Sequence, residues 1–177
     1  MFSKFRKVFH AYPLLSNMAI VAGLYCAGDV TQRTVMRVDY DWRATARIAT
    51  ISCVSCPASF YFYKALDKYL PGRSLRVVML KVTIDGLVMT PPLLAAFFIG
   101  NSILEGQEDI FAECKEKALT AYIADIFFWL PVQTANFFLI PPHLRVVYMS
   151  FAALGWSTIL CFIKGRPVLS EEVPVET

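Results

Sequence analysis

The chain has 177 residues, 56% of them hydrophobic and 18% charged, with a formal net charge of +3; its mean hydropathy is +0.51. Soluble domains use roughly 45 to 50% apolar residues, so this composition excludes an ordinary water-soluble enzyme domain and requires an apolar solvent. The length suits a single domain, and the dispersed Lys and Arg residues form no basic tract of the kind that binds nucleic acid.

Five windows lack Lys, Arg, Asp and Glu for sixteen to nineteen residues each: 11–28, 48–63, 86–104, 126–144 and 146–163. A helix rises about 1.5 Å per residue and the hydrocarbon core is about 30 Å thick, so each window is only just long enough and flanking residues must complete the span. Helices of a soluble bundle would carry a charged outer face, which these windows lack. The alternating ten-residue segments of a membrane barrel are absent too. The expected fold is an all-α integral membrane protein. One transmembrane domain over 1–177 would hold four to five short, partly kinked helices and a surface amphipathic helix.

Residues 1–10 carry Lys4, Arg6 and Lys7 among Phe2, Phe5 and Phe9, with no acid. This basic segment reads as an organellar address or an interfacial anchor rather than a cleaved secretory signal. The first window holds Ala19, Gly23 and Ala27 at every fourth position, a small-residue seam expected to pack inside the bundle. It ends at Gly28 and Asp29, with Gln32 a turn further. A loop rich in arginine follows: Arg33, Arg37, Arg43 and Arg47 against Asp39 and Asp41.

The second window is interrupted by Pro57 and ends in Tyr61, Phe62 and Tyr63, suited to the membrane interface. Leu70, Pro71 and Gly72 read as a turn. Next come Lys81 and Asp85, then Pro91 and Pro92, which predict a kinked or broken third span because each proline lacks a donor and crowds the preceding turn. Residues 105–117 are the most charged segment, with Ile110, Phe111 and Cys114 at helical spacing, and predict a short connecting helix lying on the membrane surface. The fourth window follows Asp125 and the fifth stops at Lys164, ahead of a polar tail over 165–177. Arg145 between the last two windows leaves four and five crossings both open. Basic residues on both sides leave the sidedness open as well.

From Trp129 onward the sequence FWLPVQTANFFLIPPHLRVVYMSFAALGW resembles the hallmark of the Mpv-seventeen and peroxisomal-membrane-protein-twenty-two family. The matching positions are Trp129, Pro131, Gln133, Asn136, Phe137, Pro141, Arg145 and Trp156. Further pieces fall in the family's order: Tyr12, Pro13 and Asn17; Gly28, Asp29 and Gln32; Arg43 and Arg47; Lys81, Asp85 and Pro91. The stretch NSILEGQEDIFAECKEK is most similar to the Mpv-seventeen-like protein branch. Two positions depart from the pattern: Cys56 stands where it has Gly, and Gly86 where it has Gln. The resemblance implies a small multi-spanning protein of the mitochondrial inner membrane, with the peroxisomal membrane as the alternative. It also implies non-selective channel behaviour linked to reactive-oxygen or mitochondrial homeostasis, and no catalytic site.

The residues themselves offer little for catalysis. There is no phosphate-binding glycine loop, and His10 and His143 are the two histidines, so no catalytic, cofactor or metal site is expected. Among the five cysteines, Cys53 and Cys56 form a C-x-x-C. That spacing suits a redox pair, but inside an apolar window the two read more simply as packing residues. The informative groups are those that are costly in hydrocarbon: Asp29, Lys81, Asp85 and Asp125. Lys81 and Asp85, spaced i, i+4, are expected to share a face and pair. Gln133, Asn136 and Arg145 are candidates for the same interior. Two readings stand for this set, a polar pathway for small solutes and an interhelical network acting as glue. The partners expected are the lipid bilayer, with homo-oligomer or protein partners open and no nucleic acid. A channel, a membrane scaffold and a redox sensor acting through Cys53 and Cys56 are the function classes that remain.

Overall fold

A computed structural model describes residues 11–72, 74–140 and 145–166. The basic segment 1–10, Pro141 and the tail from 167 lie outside the described residues, as do the side chains of Phe137 and Arg145. Within them every regular element is helical: α1, Pro13–Met36; α2, Trp42–Tyr69; α3, Leu75–Glu105; α4, Ala112–Phe138; α5, Arg145–Lys164. Two of these, α1 and α3, are long and apolar enough to cross a membrane, and Tyr148–Lys164 is a shorter apolar helix.

Local chemistry sets the helix ends. Pro13 opens α1 where no amide partner is needed, and Arg37 closes it in the left-handed region at φ 54°. Asp41 caps α2, accepting from the amides of Arg43 at 2.9 Å and Ala44 at 3.1 Å. The Ala44 amide above all holds its carboxyl below the usual aspartate range. Gly106 terminates α3 at φ 73°, a conformation that costs glycine little.

Prolines inside the helices are handled in two ways. Pro57 and Pro131 are absorbed within α2 and α4. Pro91 and Pro92 would strand the carbonyls a turn earlier, and there α3 widens into a π turn over Asp85–Met89, in which the Thr90 amide reaches back to the Asp85 carbonyl. The third span is therefore kinked rather than broken, as a π turn allows.

Short connections reverse the chain between successive helices, and each helix packs on its sequence neighbours. Because α1 also packs along α5, the five close into a ring. Phe98 and Leu160 are almost fully buried at its centre, with Ile48, Leu94, Phe97 and Ile163 around them. Outward stand Leu15, Val54, Leu87, Phe127 and Phe151, each more than 60% exposed, the distribution expected where the surrounding solvent is hydrocarbon.

Two expectations are corrected. Ala19, Gly23 and Ala27 lie on the exposed face of α1, and a Cβ added at Gly23 would meet nothing within 4 Å. The close approach is made instead by Gly28, whose added Cβ would fall 2.9 Å from the Ser157 backbone on α5; there the Ser157 hydroxyl donates to the Leu24 carbonyl at 3.0 Å. Nor do residues 105–117 form a separate surface helix. Glu105 ends α3, a turn follows Gly106, and α4 already runs from Ala112. Gly106 breaks the segment in two, and Glu113 and Lys117 turn inward, buried.

Gly28→Val should therefore lower stability by about 1–3 kcal/mol, the usual range for overpacking, whereas Gly23→Ala should be close to neutral. Thermal unfolding of the detergent-solubilised variants checks both, and equal effects would contradict this packing.

Candidate functional site: an acidic cavity closed by an ion cluster

Inside the ring lies a cavity of about 380 Å³ to which all five helices contribute. Tyr25 comes from α1, Tyr63 from α2, Asp85, Thr90 and Phe97 from α3, Asp125, Trp129 and Gln133 from α4, and Met149 and Trp156 from α5. Among the described residues two carboxyl groups line it and no basic side chain does, so its lining is acidic. The π turn places Asp85 at its head, where the carboxylate accepts from the Tyr63 hydroxyl at 2.8 Å. Asp125 is buried, with Thr90 and Trp129 as hydrogen-bonding neighbours. Trp129 and Trp156 lie 6.5 Å apart between ring centroids and form its aromatic wall, with Phe128 packed against Trp156 at 5.8 Å.

The predicted polar set is partly assembled here. Asp85, Asp125 and Gln133 share the cavity. Lys81 does not pair with Asp85; its ammonium binds Asp67 on α2. Tyr63 and Asp67, one turn apart on α2, face Asp85 and Lys81 on α3 as two rungs, so each polar group finds an interhelical partner better placed than its intrahelical one. Asn136 is buried one turn beyond Gln133, and its Oδ1 has no partner among the described residues. Asp29 sits elsewhere, between α1 and α2, accepting from Arg33 Nε at 3.0 Å and from the Thr45 hydroxyl.

A second centre, missed in the sequence reading, lies at the face that carries the α1–α2 and α3–α4 turns. Glu113, in the first turn of α4, binds Lys117 at 2.9 Å and Lys164 at 2.7 Å. Lys164, in the last turn of α5, also holds Glu105 at 3.0 Å, and Arg47 of α2 approaches Glu105 at 3.6 Å. The Lys117 ammonium donates to the Lys164 carbonyl at 2.8 Å. Glu113 at a helix start and Lys164 at a helix end both suit the helix dipoles. Glu113 and Lys117, spaced i, i+4 and flanked on their own face by Ala121 and Asp125, were the available signal. The cavity thus stops short of this face, behind Phe98, Leu160 and the ion cluster. Among the described residues no group of side chains could hold a metal ion.

A closed ring of helices, apolar outside and holding an acid-lined cavity, with two helices long and apolar enough to cross a membrane, defines a helical membrane protein. Residues 102–161, which include Glu113, Lys117, Asp125 and both cavity tryptophans, match the model of the Mpv17 / PMP22 family. The chain is 32% identical to the Mpv17-like protein of Bos taurus over 152 residues, covering 85% of this chain and 78% of that one. It is 33% identical to PXMP2/4 family protein 4 of Dictyostelium discoideum over 159 residues, 85% and 86% of the two chains. Against the mitochondrial inner membrane protein Mpv17 of Xenopus laevis it is 26% identical over 163 residues, 88% and 92%. The chain belongs to the Mpv17 / PMP22 family. No solved structure matches it.

Glu113 answers both Lys117 and Lys164, and removing one partner of a buried ion pair usually costs about 3–5 kcal/mol. Glu113→Gln should therefore lower the melting temperature of the solubilised protein clearly more than Asp109→Asn, whose partner is the exposed Lys115. Equal effects of the two substitutions would contradict the cluster.

Proposed function

We propose that the protein is a channel for small solutes in an organellar membrane, the mitochondrial inner membrane in the first place, with all five helices crossing the bilayer. The observation that carries this reading is the cavity: acid-lined, walled by every helix of the ring, and stopped at one face by a cluster of ion pairs. The location is supported by the relatives named for the mitochondrial inner membrane; the relative named PXMP2/4 supports the peroxisomal membrane as the alternative. Five crossings are supported by the ring, because each helix runs back along its neighbour and the polar ends of α3, α4 and α5 meet at one face.

The cavity and the cluster would divide the work. Asp85 and Asp125 select by charge, as acidic rings do in cation-conducting pores. The Arg47–Glu105–Lys164–Glu113–Lys117 cluster forms the closed end, and its separation would connect the cavity to the second face. No step requires a nucleophile or a cofactor, in keeping with a non-enzymatic membrane protein.

Purified protein in planar bilayers tests this directly. Brief conductance steps are expected, with longer open times in Lys164→Met. In Asp85→Asn with Asp125→Asn, preference for potassium over chloride should fall by roughly tenfold, the factor that a change of about 1.4 kcal/mol produces. Folded, inserted protein that conducts nothing under any of these conditions would overturn the channel reading in favour of a membrane scaffold.

A further inference from the structure

A second depression lies on the outer surface of the ring, between the first half of α3 and the middle of α4, where the two helices meet sparsely. Its volume is about 220 Å³ and its lining is almost wholly apolar. Leu87 and Leu130, 66% and 47% exposed, form its rim toward the bilayer. The floor is Gly86, inside the π turn. A Cβ built at Gly86 would meet nothing within 4 Å, so the groove owes its depth to the missing side chain.

Two residues, Val82 and Trp129, line both this groove and the acidic cavity. Groove and cavity therefore adjoin along these two side chains. Asp85, adjacent to Gly86 in the chain, lines the cavity. An apolar trough on the outer surface thus adjoins a pocket holding two carboxyl groups, with no cation among its described lining residues. The charge of the inner half and the apolar character of the outer half specify a ligand together.

We infer that groove and cavity form one lateral binding site for a single-chain amphiphile with a cationic head. The ammonium group lies between Asp85 and Asp125, and the hydrocarbon chain lies over Gly86, having entered from the bilayer between α3 and α4. An anionic head would meet like charge in the cavity. A neutral head would leave two carboxylates desolvated without a counter-charge, which is costly at membrane depth. A short amine would lose the groove, and each methylene removed from apolar contact weakens binding about threefold to fourfold. The inference uses the cavity of the channel reading but requires no conduction.

Binding of tritiated dodecylamine to the purified protein in zwitterionic-lipid nanodiscs, with empty nanodiscs subtracted and concentrations counted in the membrane phase, tests the site. Saturable binding is expected, with butylamine, dodecanol and dodecanoate each competing at least about tenfold more weakly. Gly86→Leu fills the trough without touching the cavity lining and should weaken binding about tenfold, as should Asp125→Asn. Size-exclusion profile and melting temperature establish that each variant is folded, and Asp85→Asn supplies the carboxylate arm if Asp125→Asn does not fold. Absence of saturable binding to folded wild type, wild-type affinity in Gly86→Leu, or equal competition by dodecanol would overturn the inference; the last would make the groove an ordinary seat for lipid. Conductance is not read in this assay, so a protein that binds the amine but does not conduct overturns the channel and leaves the site standing.

Discussion

The structure depends on one constraint: an ionisable or amide group placed in hydrocarbon must find a partner within the protein. Lipid offers no hydrogen bonds, and each unsatisfied polar group costs several kcal/mol. The ring of five helices answers that constraint by turning its polar groups inward. Asp29, Asn101, Ser102, Asp125 and Ser157 are buried. Leu15, Phe127, Phe138 and Phe151 are exposed. Relative to a soluble domain the polarity is inverted, and the ring must close, α1 against α5, or one seam of polar groups would face lipid. Gly28 is what lets those two helices approach closely enough for the Ser157 hydroxyl to reach the α1 backbone.

Within the ring the two polar centres obey different logic. In the ion cluster, the cations Arg47, Lys117 and Lys164 meet the carboxylates Glu105 and Glu113, with Asp41 at 4.0 Å from Arg47 on the exposed side. Its charges are close to balanced. Among the described residues the two carboxyl groups of the cavity are answered by neutral donors, Tyr63, Thr90 and Trp129. A structural network tends toward satisfied pairs, since half-satisfied buried networks are worse than apolar packing. It is this difference between the two centres on which the proposed function draws.

Much of this was legible in the sequence, and the rest failed for identifiable reasons. Charge-free windows located the helices because burial in lipid forbids ionised side chains. They placed α4 too late because its first turns carry Glu113 and Lys117, which turn inward and pair with each other and with Lys164. Pro91 and Pro92 announced the irregular third span, although spacing could not say that a π turn would absorb them. The small-residue periodicity of α1 was real, yet it chose the wrong face. A helix apolar all round gives no amphipathic signal for which side turns inward, and here Gly28 does so rather than Gly23. The i, i+4 rule joined Lys81 to Asp85 because it sees one helix at a time. Tyr63 and Asp67 compete from α2, and two rungs across an antiparallel pair satisfy all four groups where one intrahelical pair would satisfy two.

The nature of the closed end bears on what the ring is built to do. If stability alone mattered, an apolar plug would serve as well, since replacing buried ion pairs by well-packed hydrophobic side chains is often neutral or stabilising. Phe98 and Leu160 already supply such a plug at the centre. The charged layer beyond them differs in one respect. Its attraction holds while water is kept out, and weakens steeply once water enters, because the same charges interact far less in a high dielectric. A cluster of this kind is firm when dry and labile when wetted, and it ties α2, α3, α4 and α5 at one face through side chains rather than backbone. Small shifts of Lys164 relative to Glu105 and Glu113 would admit water, and water would complete the separation. A charged layer at one face, beyond a cavity lined by two carboxyl groups, is the arrangement on which the proposed channel rests.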